Sequence, residues 1–134
     1  MGYESCLHLV NVKIKAESVS RVKRKLSGRT LRSSDPLRFF LERAVLDSGG
    51  FLVFKASEDG HDPYVPDEED GTVPALYGKW YEAESIAVWL RQHSEKGGRI
   101  VLHSIEADGN AWGWEFDGRG RMRALELRPI SKYE

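Results

Sequence analysis

A chain of 134 residues is the size of one domain, and at that length folding buries roughly two-thirds of the surface that the unfolded chain exposes. Hydrophobic content of 40% beside 31% charged residues excludes a disordered chain, and the absence of an apolar run near the ~20 residues needed to span a bilayer excludes a transmembrane helix. The net charge of -1 excludes a strongly polycationic or polyanionic protein, although residues 1–50 carry ten basic against five acidic residues and residues 51–84 carry two against nine. One cysteine, Cys6, forms no internal disulfide, and with no basic and apolar export signal at its start the chain is expected in the cytoplasm.

Ser5–Lys15 reads as the first strand, apolar on both faces over its first half and therefore central in a sheet. Its alternation puts Cys6, His8, Val10, Val12 and Ile14 on one face and Leu7, Leu9 and Asn11 on the other. Helix A is expected over about Glu17–Ser27, with Val19, Val22 and Leu26 as its apolar stripe and Gly28 as its stop. A polar linker over 29–34 leads to helix B, capped by Asp35 with Pro36 at its first position, where a missing N–H costs nothing. Leu37, Phe40, Leu41, Ala44 and Val45 extend its helical period up to Gly49-Gly50.

Phe51–Ala56 is a short strand, and the chain then changes character. Residues 58–71 hold seven acids and two prolines and form an exposed acidic loop. Thr72–Tyr81 returns as a strand whose Pro74 confines it to an edge or an irregular position. Helix C follows over about Glu82–Glu95, with Ala83, Ile86, Ala87 and Leu90 on one face and a stop at Gly97-Gly98.

Arg99–Ala107 is the next strand, and Asp108-Gly109-Asn110 turns it into the most strongly patterned stretch of the chain. There Trp112, Trp114 and Phe116 alternate with Gly113 and Glu115, Asp117-Gly118-Arg119-Gly120 supplies turn chemistry, and Met122–Arg128 closes a hairpin. The three rings are expected to pack inward, under the helices.

The order β-α-α-β-β-α-β-β-β defines a single domain over residues 1–134 of α+β class, a mainly antiparallel sheet with helices packed on one face. Its first six elements imitate the ferredoxin-like order, with a C-terminal hairpin added; that is an analogy of topology and does not specify an activity.

Four constellations could carry function. Tyr77, Trp80 and Tyr81, with Tyr64 on the acidic loop, have the composition of protein-interface anchors, which points to self-association, a homodimer for instance, or to docking on a partner protein. Arg119, Arg121 and Arg123 alternate through the last hairpin and, with Lys23, Arg24 and Lys25 on helix A, form the alternative of a surface for nucleic acid or another polyanion. Asp59, Asp62, Asp67, Glu68, Glu69 and Asp70 fail the calcium-loop spacing around Gly60 and Gly71, so no metal is expected there.

The fourth is made of histidines. Cys6 and His8 share a strand face with each other and form a Cys–His pair with His103 only if their strands are neighbours; His61 or His103 beside carboxylates would be the base of an uncharacterised hydrolase. No phosphate loop, dinucleotide glycine motif, zinc spacing or nucleophile elbow is present, so no cofactor is expected. The leading expectation is therefore a small non-enzymatic protein-interaction module.

Overall fold

The computed structural model describes residues 5–28, 32, 34–56, 71–104 and 111–127. Its elements are β1 (Ser5–Val10), α1 (Val19–Leu26), α2 (Arg38–Leu41), β2 (Ala44–Leu46), β3 (Leu52–Lys55), β4 (Thr72–Val73), β5 (Ala75–Gly78), α3 (Ala83–Leu90), β6 (Arg99–Ser104), β7 (Ala111–Phe116) and β8 (Met122–Leu127). Five strands form one antiparallel sheet in the order β5-β1-β6-β7-β8, and three form a second in the order β2-β3-β4. The class is mixed α+β, as the pattern of elements implied. The expected acidic loop before Gly71, with Tyr64 and His61, and the expected turn at Asp108-Gly109-Asn110 lie outside the described residues.

β1 is central, as its two apolar faces required, with β5 on one side and β6 on the other. It is shorter than the expected Ser5–Lys15, because Asn11 takes a φ of 52° and ends the ladder. Asparagine is one of the few residues that enter this left-handed region at modest cost. The kink reverses the alternation. Leu7 and Leu9 face the core and Val10 is 38% exposed, yet beyond Asn11 it is Val12 and Ile14 that are buried, so the expected grouping of Val12 and Ile14 with Cys6 is corrected. Past the kink the Ile14 N–H donates to Gly50 O and the Leu52 N–H to Val12 O, which ties the large sheet to the small one.

Helix B is the largest departure from expectation. The Leu37 N–H does donate to the Asp35 carboxylate, at 2.8 Å, but the helix that follows has only four residues, and Ala44–Leu46 is a strand. Val45 and Leu46 pair with Val53 and Leu52 across a tight turn in which Gly50 has a φ of 83°. A pattern of apolar residues at helical spacing yielded to a cross-strand pairing that β-branched Val45 and Val53 favour.

Thr72–Tyr81 is likewise divided. β4 pairs with β3 in the small sheet, whereas β5 pairs with β1 in the large one, and Pro74 stands between them with its carbonyl accepting from the Leu9 N–H. Proline has no N–H for a ladder, so the chain changes sheets where pairing would fail anyway. In a ferredoxin-like order the strand at 52–55 would flank β5 in the same sheet; it lies instead in the small sheet, and the observed order of elements is β-α-α-β-β-β-β-α-β-β-β.

One core serves both sheets. Leu7, Leu9, Leu76, Ile100, Leu102 and Phe116 from the large sheet meet Leu52, Phe54 and Val73 from the small one, with Val22 of α1, Phe40 and Leu41 of α2 and Ile86, Ala87 and Leu90 of α3. The helices thus cover the face of the large sheet that carries Leu7 and Leu9. The opposite face carries Cys6 and His8.

The expectation for the aromatic strand holds at one end only. Phe116 is 1% exposed and Trp114 packs against the core, but Trp112 is 38% exposed, so cover fades toward the start of β7. The hairpin formed as its residues dictated, with Gly118 and Gly120 at positive φ and the Asp117 carboxylate accepting from the N–H groups of Arg119 and Arg121. Those two bonds hold the Asp117 carboxyl below its ordinary value.

Candidate functional site

An apolar opening lies between the start of α2 and α3. Two adjoining depressions, of about 380 and 520 Å³, share Pro36, Tyr81 and Glu82. The first is floored by Phe40, Trp80 and Ile86 and the second by Leu37 and Trp89. Around them Phe39, Tyr81 and Val88 are 39%, 67% and 37% exposed. Asp35, Glu82 and Glu84 line the second depression and Lys79 the first, so the charge beside the α3 half is acidic.

Local chemistry places each group. Asp35 caps the turn into α2 and its carboxylate meets Lys25 at 3.3 Å; the Leu37 N–H first, then Lys25, hold its carboxyl below the ordinary range. Phe39 is steadied by the Arg43 guanidinium, 3.7 Å from its ring centre, and by the edge of Trp80 at 4.9 Å. Gly78 gives these rings their room, because a Cβ there would stand 3.0 Å from Phe39 and 3.3 Å from Trp80.

Of the four residues expected to anchor a protein contact, the three that are described, Tyr77, Trp80 and Tyr81, are not brought to one surface. Trp80 is a core residue, its indole N–H donating to Leu76 O at 3.1 Å and its ring among Phe39, Phe40 and Phe54. Tyr81, the next residue, points outward. Tyr77 is half-buried on β5 directly opposite Cys6, on the far face of the sheet, and Tyr64 lies outside the described residues. Phe39, Val88 and Trp89 lie off the apolar stripes read for helices B and C, so sequence reasoning did not place them beside Tyr81.

The cations are similarly dispersed. Arg123 and Arg99 both hold Glu115, at 2.8 and 2.7 Å, which keeps the Glu115 carboxyl below its ordinary value. Arg119 and Arg121 stand at the hairpin tip beside Asp117, and the groove beneath it presents Lys96, Arg121 and Arg123 together with Glu115 and Asp117. Lys25 is paired with Asp35, while α1 packs on β2.

Two histidines meet. His103 on β6 lies directly across from Cys6 on β1, and the His8 Nε2 is 3.1 Å from the His103 Nδ1 with ring centres 5.0 Å apart. The condition that the two strands be neighbours is met. Cys6 is fully buried, both histidines are half-buried, and one donor atom from each of the three lies within 4.8 Å of the others.

His93 follows α3, whose C-terminal dipole favours a charged imidazole, but its surroundings do the reverse. Burial first, then Arg21 and Lys15, lower its pKa below 6.5, and its Nδ1 lies 3.0 Å from the Ser18 hydroxyl. The unfolded chain therefore takes up this proton near pH 6.5 and the folded chain only at lower pH. Stability from this group is complete above 6.5 and declines as pH falls below it. Urea midpoints between pH 7.5 and 5.5 should fall more steeply in the native protein than in His93→Gln; equal slopes would refute the assignment.

No family model matches the chain, and neither a curated protein nor a solved structure matches it. The fold itself defines the class, a mixed α+β protein built on a five-stranded and a three-stranded antiparallel sheet. Among the described residues no helix is long and apolar enough to cross a membrane.

Proposed function

We propose that this protein is a non-enzymatic docking module whose α2–α3 cleft accepts a short segment of a partner protein, one with apolar anchors flanked by lysine or arginine. A single observation carries the reading: Phe39, Tyr81 and Val88 stand exposed around a cleft whose α3 half is lined by Asp35, Glu82 and Glu84. Apolar side chains in a cleft supply contact energy, while the flanking carboxylates select cationic neighbours and steer their approach. A chain with a single cysteine, Cys6, has no internal disulfide that would call for an oxidising compartment, which supports the cytoplasm. The ferredoxin-like comparison is supported for the large sheet alone, by β1 lying between two antiparallel neighbours.

Selection of a displayed random-peptide library on the immobilised protein tests this reading. Enriched peptides should carry an aromatic or aliphatic anchor beside basic residues, and a Tyr81→Ala/Val88→Glu double variant should bind them at least tenfold more weakly. Both positions are exposed, so the variant keeps its core. Enrichment of acidic peptides, or binding unchanged in the variant, would sink the reading. A sizing measurement that gives a dimer in the native protein and a monomer in the variant would instead assign the cleft to a second copy of the chain.

A further inference from the structure

The geometry points to a transition-metal site on the face of the large sheet turned away from the helices, with Cys6, His8 and His103 as its ligands and Zn²⁺ as the ion it fits. This site is independent of the α2–α3 cleft, since the core separates the two.

The strand pairing places the donors. Cys6 and His8, two residues apart on β1, project from one face, and His103 is the direct cross-strand partner of Cys6 on β6. β1 is bonded on both sides, by β5 and by β6, so the backbone beneath all three ligands is held by ladders rather than by a loop. The His8 and His103 nitrogens already stand 3.1 Å apart and all three donor atoms lie within 4.8 Å. Tetrahedral zinc, with bonds of about 2.0–2.3 Å, sets its ligand atoms roughly 3.3–3.7 Å from one another, so changes within side-chain torsions bring the triad to that geometry.

The donor chemistry agrees. One thiolate with two imidazoles is a borderline-soft set suited to Zn²⁺, and hard cations such as Mg²⁺ or Ca²⁺ prefer oxygen. In the metal-free protein the hydrogen bond between the two rings requires one nitrogen to donate and the other to accept. Binding replaces that bond with two nitrogen-to-metal bonds: the ring that donated gives up its N–H proton to solvent and takes one from solvent at its other nitrogen, and the Cys6 thiol loses its proton to solvent as the sulfur–metal bond forms. Three is also the donor count of zinc sites that keep a coordination position for water or an added ligand, and the triad supplies three among the described residues.

Cu²⁺ binds such donors more tightly in vitro, as the Irving–Williams order requires, so the test uses Zn²⁺ and its spectroscopic substitute Co²⁺. Titration of the metal-stripped full chain with Co²⁺ should produce the intense visible bands of a tetrahedral ion and a near-ultraviolet thiolate charge-transfer band. Both should saturate at one ion per chain and disappear on addition of Zn²⁺. Cys6→Ser should abolish the charge-transfer band, His103→Gln should weaken binding at least tenfold, and His93→Gln should change neither.

Circular dichroism verifies that each variant is folded, and because His103 is half-buried its variant decides the question should Cys6→Ser fail to fold. A weak octahedral spectrum, a signal that does not saturate, or an unchanged signal in His103→Gln would overturn the site.

Discussion

Gly113→Ala should destabilise the protein by about 3 kcal/mol or more, a large share of the ~5–15 kcal/mol that holds a domain folded. Gly113 pairs with Val101 in the β6–β7 ladder, and a Cβ on it would collide with the carbonyl of Ile100 and stand 3.0 Å from the Val101 Cα. Those atoms are backbone, and they cannot turn aside as a side chain could. The strand beneath them joins β1 to β7, so a shift of β6 would disturb Ile100 and Leu102, both buried in the core. Gly113 is not among the positive-φ glycines, which makes the expected loss steric rather than conformational. Gly120 is the control. Its φ is 86° but nothing stands within 4 Å of a Cβ there, so Gly120→Ala should cost only the ~1 kcal/mol of left-handed strain. With an m-value of about 2 kcal/mol/M, the urea midpoint should fall by about 1.5 M in Gly113→Ala and by about a third of that in Gly120→Ala. Equal losses in the two variants would show that β6 and β7 separate locally at little cost.

Trp80→Ala should cost about 3–5 kcal/mol, the range for deleting a large buried ring. The indole lies where three layers meet. Its ring stands edge-on to Phe39 and Phe40 of α2, leans over Phe54 of the small sheet at 5.6 Å, and sends its N–H to Leu76 O in the large sheet. Its removal would open a cavity that none of these elements can fill without leaving the others. Trp80→Phe separates the contributions: it keeps most of the apolar volume and loses the donor, which should cost about 1–2 kcal/mol. Chemical denaturation followed by far-ultraviolet circular dichroism should rank the variants native, Trp80→Phe, Trp80→Ala. An alanine variant as stable as the native protein would mean that the ring is dispensable and the α2–α3 cleft extends inward. For that reason the docking reading is tested at Tyr81, which is 67% exposed, and not at its neighbour.

The two functional proposals occupy opposite sides of the large sheet. Phe39, Tyr81 and Val88 belong to the helical side, whereas Cys6, His8 and His103 belong to the other. Strand alternation makes this division, because Leu7 and Leu9 point to the core and their neighbours Cys6 and His8 therefore cannot.

The amino-acid sequence by itself determined the elements whose signals are local. The β7–β8 hairpin follows from alternation around Asp117-Gly118-Arg119-Gly120, α1 from the spacing of Val19, Val22 and Leu26 before Gly28, and α3 from Ala83, Ile86, Ala87 and Leu90. Each depends on residues within a turn or two of one another, so local sterics and one apolar face suffice. What only the tertiary structure decided is non-local. Ala44–Leu46 became a strand because β3 offered it a partner, and Thr72–Gly78 was divided between two sheets at Pro74 because each half met a different neighbour. Trp112 lost its cover because the core ends short of it, a matter of which elements reach that far. The candidate sites belong to this second kind. His8 and His103 are 95 residues apart, and Phe39 meets Trp80 only across the α2–α3 boundary. Alternation along β1 and β6 says which face each side chain takes, but which strands lie side by side is fixed by the burial of the whole core, a quantity that no single stretch of the chain contains.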